Sequence, residues 1–390
     1  MATGSFERSG RELAVRRGEG NCTHLERHRP RFVSLDRGED HDKGYHVNAT
    51  ANPSSGGSVT MARAVQFTAP HRVELVPVSL PPPRAGELVV RTLYSGISAG
   101  TEMLAYRGEL DTETPLDETL GGLSGSFDYP FRYGYSCTGR VERGTHAVPA
   151  GSLVFAFQAH QDRFVVPDAD VVVMYDDADA RSSTLFPLVE TAVQLTLDCG
   201  EPTGDTVVVL GLGAVGLLTA LLLHRAGAKV LAAEPHQWRR DLAASLAITS
   251  VSPAELPDRV HELTGGRGTP LLVELSGAPA ALADGLRLLA HEGTALVGSW
   301  YGTKPVPLPL GAEFHRRRLT LRSSQVSSIP RRLQDQWDVP RRRAHARDLM
   351  RELPLRELAT DEFRFEQAAE AYAAIDRGRP GLLHAALRYE

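Results

Sequence analysis

A glycine-punctuated joint sets the tightest limit on how this chain can fold. Thr206-Val207-Val208-Val209-Leu210 runs directly into Gly211-Leu212-Gly213-Ala214-Val215-Gly216. Such a continuous apolar run suits a strand buried on both faces of a parallel sheet. Helical patterning follows from Val215 to Ala226, and Lys229–Ala233 gives a second buried strand. In this strand–turn–helix–strand setting the three glycines act differently. Gly211 permits the tight turn, Gly213 lets the backbone approach a pyrophosphate, and Gly216 brings the helix onto the strand. The helix start at Ala214 and Val215 then offers free N–H groups and a partial positive charge to phosphate. A helix packed on a strand with no ligand is the plain alternative.

Glu234 ends the second strand, about twenty residues beyond the glycines, where a carboxylate accepts hydrogen bonds from ribose hydroxyls and repels a 2′-phosphate. NAD is therefore the expected cofactor. His236, Arg239 and Arg240 just beyond keep NADP as the second choice. Further strands are expected at Leu271–Leu275, Thr294–Gly298 and Leu319–Arg322, after a helix over Thr184–Leu197. This alternation predicts an α/β, doubly wound parallel sheet whose ligand lies at the carboxyl ends of the strands. Ser276, Gly298, Ser299 and Ser324 sit at such ends and are expected around the nicotinamide. Trp300 suits either a substrate-pocket wall or packing between domains.

From Met61 to about Asp179 the pattern is different: short β runs (Ala64–Phe67, Glu87–Thr92, Ser152–Phe157) broken by proline and glycine, as in a small, mostly β domain. The carboxyl-terminal stretch predicts a basic helix at Arg341–Leu353, a strand at Glu362–Phe365, a helix at Gln367–Asp376 and a strand at Leu383–Tyr389, packing back on the first domain. The expected division is a β domain over 61–183 with 326–390, and a cofactor domain over 184–325. Residues 1–60 are polar and aperiodic, a composition expected to stay disordered, and Met61 is a second candidate start. Cys22, His24 and His28 within that segment make a poor ligand set for a metal. A net charge of −5 gives no reason to expect nucleic acid or a membrane surface as partner. No apolar run approaches the roughly 20 residues of a bilayer span. Three scattered cysteines suit a reducing cytoplasm.

The order of a β domain, the glycine fingerprint and a returning tail resembles the medium-chain dehydrogenase/reductase superfamily, over about Met61 to the carboxyl terminus. That resemblance implies a chaperonin-10-like (GroES-like) first domain beside the Rossmann sheet. Ser95-Gly96-Ile97-Ser98-Ala99-Gly100-Thr101-Glu102 and Tyr106-Arg107-Gly108 look closest to one zinc-lacking branch. Phe131-Arg132-Tyr133-Gly134-Tyr135-Ser136-Cys137-Thr138-Gly139 and His160-Gln161-Asp162-Arg163-Phe164 point the same way. That branch includes the dehydrogenase acting on the hydroxyethyl group of bacteriochlorophyllide a. Zinc-using relatives carry a Cys in Gly-x-Cys and a His in Gly-His-Glu. Here the matching places hold Ser98, Tyr135 and Ser136, poor ligands for zinc, and no structural-zinc cysteines follow. No metal is expected.

The resemblance then implies hydride exchange between a nicotinamide and an alcohol or carbonyl carbon, without zinc. The expected substrate is a small molecule bearing a secondary alcohol or its ketone, such as a specialised metabolite, sugar or cyclitol. A homodimer is common in the superfamily. Tyr135, in the place of the lost His, is expected to face the reacting oxygen; Thr101 matches a hydroxyl that relays protons toward the nicotinamide ribose; Glu190 matches an acidic residue near the metal and is a candidate to accept a proton or orient Tyr135. His160 is a candidate acid. Each has a structural alternative: packing for Tyr135, a turn hydroxyl for Thr101, a buried structural carboxylate for Glu190, a loop hydrogen bond for His160, and a salt bridge for Glu102. Arg331, Arg332, Arg341, Arg342, Arg343 and Arg347 suit either a substrate anion or a solvated helix face. Reduction of an activated carbon–carbon double bond, and dinucleotide binding without turnover, are the competing functions.

Overall fold

The computed structural model describes residues 60–390. The segment expected to be disordered, with Cys22, His24 and His28, lies outside the described residues apart from Thr60.

Strands β1 (Thr60–Ala69) and β2 (Arg72–Leu80) form a hairpin, and β3 (Glu87–Ile97) leads into helix α1 (Thr101–Arg107). Gly108, at φ 72°, closes α1 in the left-handed conformation that glycine adopts without a Cβ clash. Strands β4 (Phe131–Arg132), β5 (Cys137–Arg143), β6 (Leu153–Ala156), β7 (Arg163–Pro167) and β8 (Val171–Val173) follow. A short sheet orders β2-β1-β4.

Helix α2 (Phe186–Cys199) opens the parallel layer, with Pro187 in its first turn, where no amide hydrogen bond is lost. Next come β9 (Thr206–Leu210), α3 (Ala214–Arg225), β10 (Lys229–Ala233), α4 (Gln237–Ser245), β11 (Thr249–Val251), α5 (Leu256–Thr264), β12 (Thr269–Glu274), α6 (Pro279–Gly285), β13 (Leu289–Val297) and β14 (Thr320–Ser323). The sheet orders β11-β10-β9-β12-β13-β14, all parallel. Strand order reverses between β9 and β12, the position where open α/β sheets bind ligands. Val207, Val208 and Val209 in β9 are wholly buried, as their unbroken apolar run predicts.

The chain ends with α7 (Val339–Leu349), α8 (Leu355–Leu358), β15 (Asp361–Arg364), α9 (Ala368–Asp376) and β16 (Ala385–Arg388). Strand β16 pairs antiparallel with β3, extending a second sheet ordered β15-β16-β3-β5-β6-β8, with β7 also on β3. The expected return of the tail is thus carried by β15, α9 and β16. Helix α7 differs: Arg342 and Ala346 are buried, and Arg342 bonds to Glu190 and Gln194 on α2. No helix among the described residues is long and apolar enough to cross a membrane.

Candidate active site

The residues expected from the sequence fall into two sets, one around the glycine turn and one around Tyr135. At the nucleotide end, Gly211 has φ 91°, and a Cβ there would lie 2.7 Å from Cα of Ser276. A Cβ on Gly216 would lie 2.1 Å from the Gly211 carbonyl oxygen. Both positions therefore accept only glycine. Gly213 is the opposite case, since a Cβ would meet nothing within 4 Å. Its missing side chain leaves open space over the start of α3, where Ala214 and Val215 lie and where no side chain caps the amides. Uncapped amides beside open space are the donors a pyrophosphate needs.

Glu234 is 1% exposed and closes this loop from the neighbouring strand. Its oxygens accept from the amides of Leu212 (2.9 Å) and His236 (3.0 Å). A carboxylate has about four lone-pair sites, so acceptor capacity remains for a ribose hydroxyl. Arg239 stacks on Trp238 at 5.0 Å and reaches Glu234 at 3.5 Å. Arg240 is committed to the carbonyl oxygens of Glu234 and Pro235.

The loops after β12 and β13 are joined by a residue that the periodicity gave no reason to single out. Glu274, wholly buried, accepts from the Ser276 amide (2.7 Å), the Ser276 hydroxyl (2.5 Å), the Gly277 amide (3.1 Å) and the Tyr301 hydroxyl (2.8 Å). Burial and Glu274 together push the Tyr301 phenol up. Ser299 accepts from the Gly277 amide at 2.9 Å, and a Cβ on Gly298 would collide with Leu275 and Leu195. The only available signal was a carboxylate at the carboxyl end of an apolar strand. Ser324 corrects the expectation: its hydroxyl donates to Asp198 at 2.6 Å, tying it to the end of α2. The side chains of Ser276 and Ser324 are thus engaged within the fold, which leaves backbone groups to meet a carboxamide.

At the reacting end, the structure brings Tyr135 against the hydroxyls of Ser98 and Thr101. Burial, with the charge of Glu102 second, pushes the Tyr135 phenol up to about 12, against the two hydroxyls that favour its ionised form. The phenol is a hydrogen-bond donor at neutral pH. Ser136, beside it, turns away and donates to the Thr184 carbonyl at 2.6 Å. Trp300 is half-exposed and meets Phe127 edge-on at 6.1 Å.

Two candidates move out of the reacting set. The sequence pairs Glu190 with Tyr135; the structure gives it to Arg342 (2.8 Å) and Arg343 (3.3 Å), with Arg342 also donating to Gln194. Glu190 thus holds the buried guanidinium of Arg342, and among the described residues its hydrogen-bond partners do not include Tyr135. His160, a candidate acid, is 0% exposed and bonds Ser95 at 2.7 Å and Glu102 at 2.9 Å. It has no surface from which to reach a substrate. The arginine run is likewise engaged within the chain: Arg341 on Trp337, Arg343 on Phe157 and Arg347 on Tyr175, while Arg332 binds carbonyls at the end of α2.

The family model for zinc-binding dehydrogenases matches residues 214–339. 5-exo-Hydroxycamphor dehydrogenase of Pseudomonas putida is 32% identical over 201 residues, 46% of this chain and 50% of that protein. 2-Dehydro-3-deoxy-L-galactonate 5-dehydrogenase of Pseudoalteromonas atlantica is 25% identical over 271 residues, covering 63% and 77%. An alcohol dehydrogenase structure from Escherichia coli CFT073, complexed with NADH, superposes with a TM-score of 0.67 at 16% identity, over 84% of this chain and 99% of its own. Over these stretches the chain is similar to zinc-binding-type dehydrogenases, and the superposition shows the medium-chain dehydrogenase fold. The chain's match spans half the length of the camphor-series relative. The donor set at residues 98, 135 and 136 is two alcohols and a phenol, which do not suit zinc. Among the described residues no three of His, Cys, Asp or Glu gather into a metal-holding group.

Proposed function

We propose that this chain is a zinc-independent, nicotinamide-dependent oxidoreductase that interconverts an alcohol and its ketone or aldehyde, with a secondary alcohol of a specialised metabolite, sugar or cyclitol as substrate. The observation that carries the reading is the convergence of Tyr135 and Ser98, at the places of metal ligands in zinc-using relatives, with the Thr101 hydroxyl. In this reading residues 61–183 with 326–390 supply the reacting groups and 184–325 hold the cofactor. Helix α7 is the exception, since it packs on α2.

The dinucleotide site fits its ligand: open space at Gly213, uncapped α3 amides and Glu234 at the ribose position. The nicotinamide supplies the hydride when bound. As a carbonyl carbon takes that hydride, its π electrons move to oxygen, and Tyr135 donates its phenolic proton there. Thr101 and Ser98 hold the phenol, and Thr101 relays a proton from solvent that restores it. Such proton transfer is worth about 10²–10⁴-fold in rate. NAD is favoured over NADP because Glu234 occupies the space of a 2′-phosphate and Arg240 is spent on backbone carbonyls. The zinc-lacking branch, which resembles the bacteriochlorophyllide a hydroxyethyl dehydrogenase, is the assignment that this site supports.

The test is turnover of purified protein with NADH and NADPH separately against panels of ketones and enones, followed by absorbance. Ketone reduction that falls at least tenfold in Tyr135→Phe, with NADH affinity intact, supports the reading. Turnover of enones alone, or nucleotide binding without turnover, overturns it, as does stoichiometric zinc in the active protein.

A further inference from the structure

The polar groups beneath Tyr135 form a connected set that the proposed chemistry does not yet use. Glu102, in the first turn of α1, is wholly buried. Its Oε1 accepts the Ser98 amide at 2.9 Å; its Oε2 accepts the Tyr372 hydroxyl at 2.5 Å and faces His160 Nε2 at 2.9 Å. His160 Nδ1 meets the Ser95 hydroxyl at 2.7 Å, and Ser95 meets the Tyr389 hydroxyl at 2.8 Å. The set is pressed against the Tyr135 segment, because a Cβ on Gly134 would lie 2.6 Å from the His160 ring.

Counting protons fixes the direction of these bonds. If Tyr389 donates to Ser95, Ser95 to His160 Nδ1, and His160 Nε2–H to Glu102, every buried hydrogen has one acceptor. A hydrogen on His160 Nδ1 would have to be accepted by Ser95, and either the Ser95 or the Tyr389 hydrogen would then lack a partner. Buried polar hydrogens rarely go unpaired. In the fully paired arrangement three donors, the Ser98 amide, the Tyr372 hydroxyl and His160 Nε2–H, converge on Glu102. Its hydrogen-bond partners include no Lys or Arg. The titratable groups around it are His160 and the phenols and thiol of Tyr133, Tyr135, Tyr372, Tyr389 and Cys137, contributed by several elements.

We propose that Glu102 and His160 are positioning residues for the reaction: the carboxylate, oriented by His160 and Tyr372, anchors the Ser98–Thr101 turn and presents a fixed negative charge that holds Tyr135 as a proton donor. This rests on the oxidoreductase reading above. The arrangement keeps Tyr135 protonated at rest, the form from which carbonyl reduction starts, whereas alcohol oxidation starts from a phenolate that the neighbouring charge disfavours. Glu102 touches no substrate; it acts through Tyr135. The upward push on the Tyr135 phenol from burial and from Glu102 agrees with this role.

Spectrophotometric titration of tyrosinate in the apo full-length protein tests the electrostatic part without turnover. Glu102→Gln is expected to lower the ionisation of one tyrosine by about one pH unit. The shift should vanish when Tyr135→Phe is added. Glu102→Asp, which keeps the charge, should titrate like wild type. In ketone reduction, Glu102→Gln should lower kcat about tenfold by loosening the Ser98–Thr101 turn that holds Tyr135, with the KM for NADH unchanged. An unmoved tyrosine titration, or wild-type kcat, in Glu102→Gln overturns the proposal. If that variant does not fold, His160→Gln decides: it leaves the charge in place, so no tyrosine should ionise lower than in wild type, and a lowered ionisation overturns the proposal. Wild-type protein that reduces no carbonyl with either nucleotide defeats the oxidoreductase reading instead, and the titration separates the two failures.

Discussion

Glu190→Gln separates a catalytic carboxylate from a structural one, and the structure states the outcome. Glu190 and Arg342 are 2% and 1% exposed, and Arg342 makes two bonds to the carboxylate and one to Gln194. Removing one member of a buried pair costs about 3–5 kcal/mol, because the remaining charge loses its partner. Glutamine keeps a carbonyl that accepts one guanidinium bond, and Gln194 keeps its own, so the expected cost is at the lower end, about 3 kcal/mol. At about 2–4 °C per kcal/mol, the thermal midpoint should fall by about 6–12 °C. Circular dichroism scans give that shift, and NADH oxidation measured well below the transition gives kcat. We expect kcat to stay within about twofold of wild type, since proton-transfer loss would cost at least about a hundredfold. The double variant Glu190→Leu with Arg342→Met should recover most of the midpoint, as apolar replacements of buried pairs do. A hundredfold loss of kcat with an unshifted midpoint would return Glu190 to the reaction and refute the argument.

Three further outcomes are expected. Gly213→Ala should leave the thermal midpoint nearly unchanged, because a Cβ there meets nothing within 4 Å, yet raise the calorimetric Kd for NADH at least about tenfold by filling the phosphate space; tight binding would disprove the cradle. Glu234→Ala should weaken NADH more than NADPH, and the reverse order in paired titrations would overturn the nucleotide preference. Burial, then the charge of Arg181, hold the His384 imidazole down to about 4, against about 6.5 in an unfolded chain. The unfolded chain therefore takes the proton first, so stability declines as pH drops from about 6.5 to about 4, by about 3 kcal/mol in all, and is level above that window. Urea midpoints at pH 7.5 and 4.5 should show that decline in wild type and a smaller one in His384→Leu.

The parallel sheet was legible because β9 and β10 carry their signal locally: every residue of Thr206–Leu210 is buried, so the apolar run is unbroken. The stretch from Glu234 to Thr269 was not, because α4 is polar with one buried residue and β11 is three residues long, too little of either period to register. Gly211, Gly213 and Gly216 were legible since backbone geometry there follows from residue type alone. The juxtaposition of Ser98, Thr101 and Tyr135 came through resemblance. The fates of Glu190 and His160 did not come through at all: each is decided by a partner remote in sequence, Arg342 and Glu102, and a spacing pattern holds no information about a contact 152 residues away.

Glu274 has a consequence for how this scaffold changes its substrate. One buried carboxylate binds the loops after β12 and β13 through four hydrogens. The two loops therefore cannot be retuned separately: a replacement at Tyr301 is felt at Ser276, and both lie where the nucleotide is expected. Residues 111–130 carry no such tether and no named helix or strand, while Phe127 within them meets Trp300. New specificities should accumulate in residues 111–130, leaving the nucleotide loops unaltered.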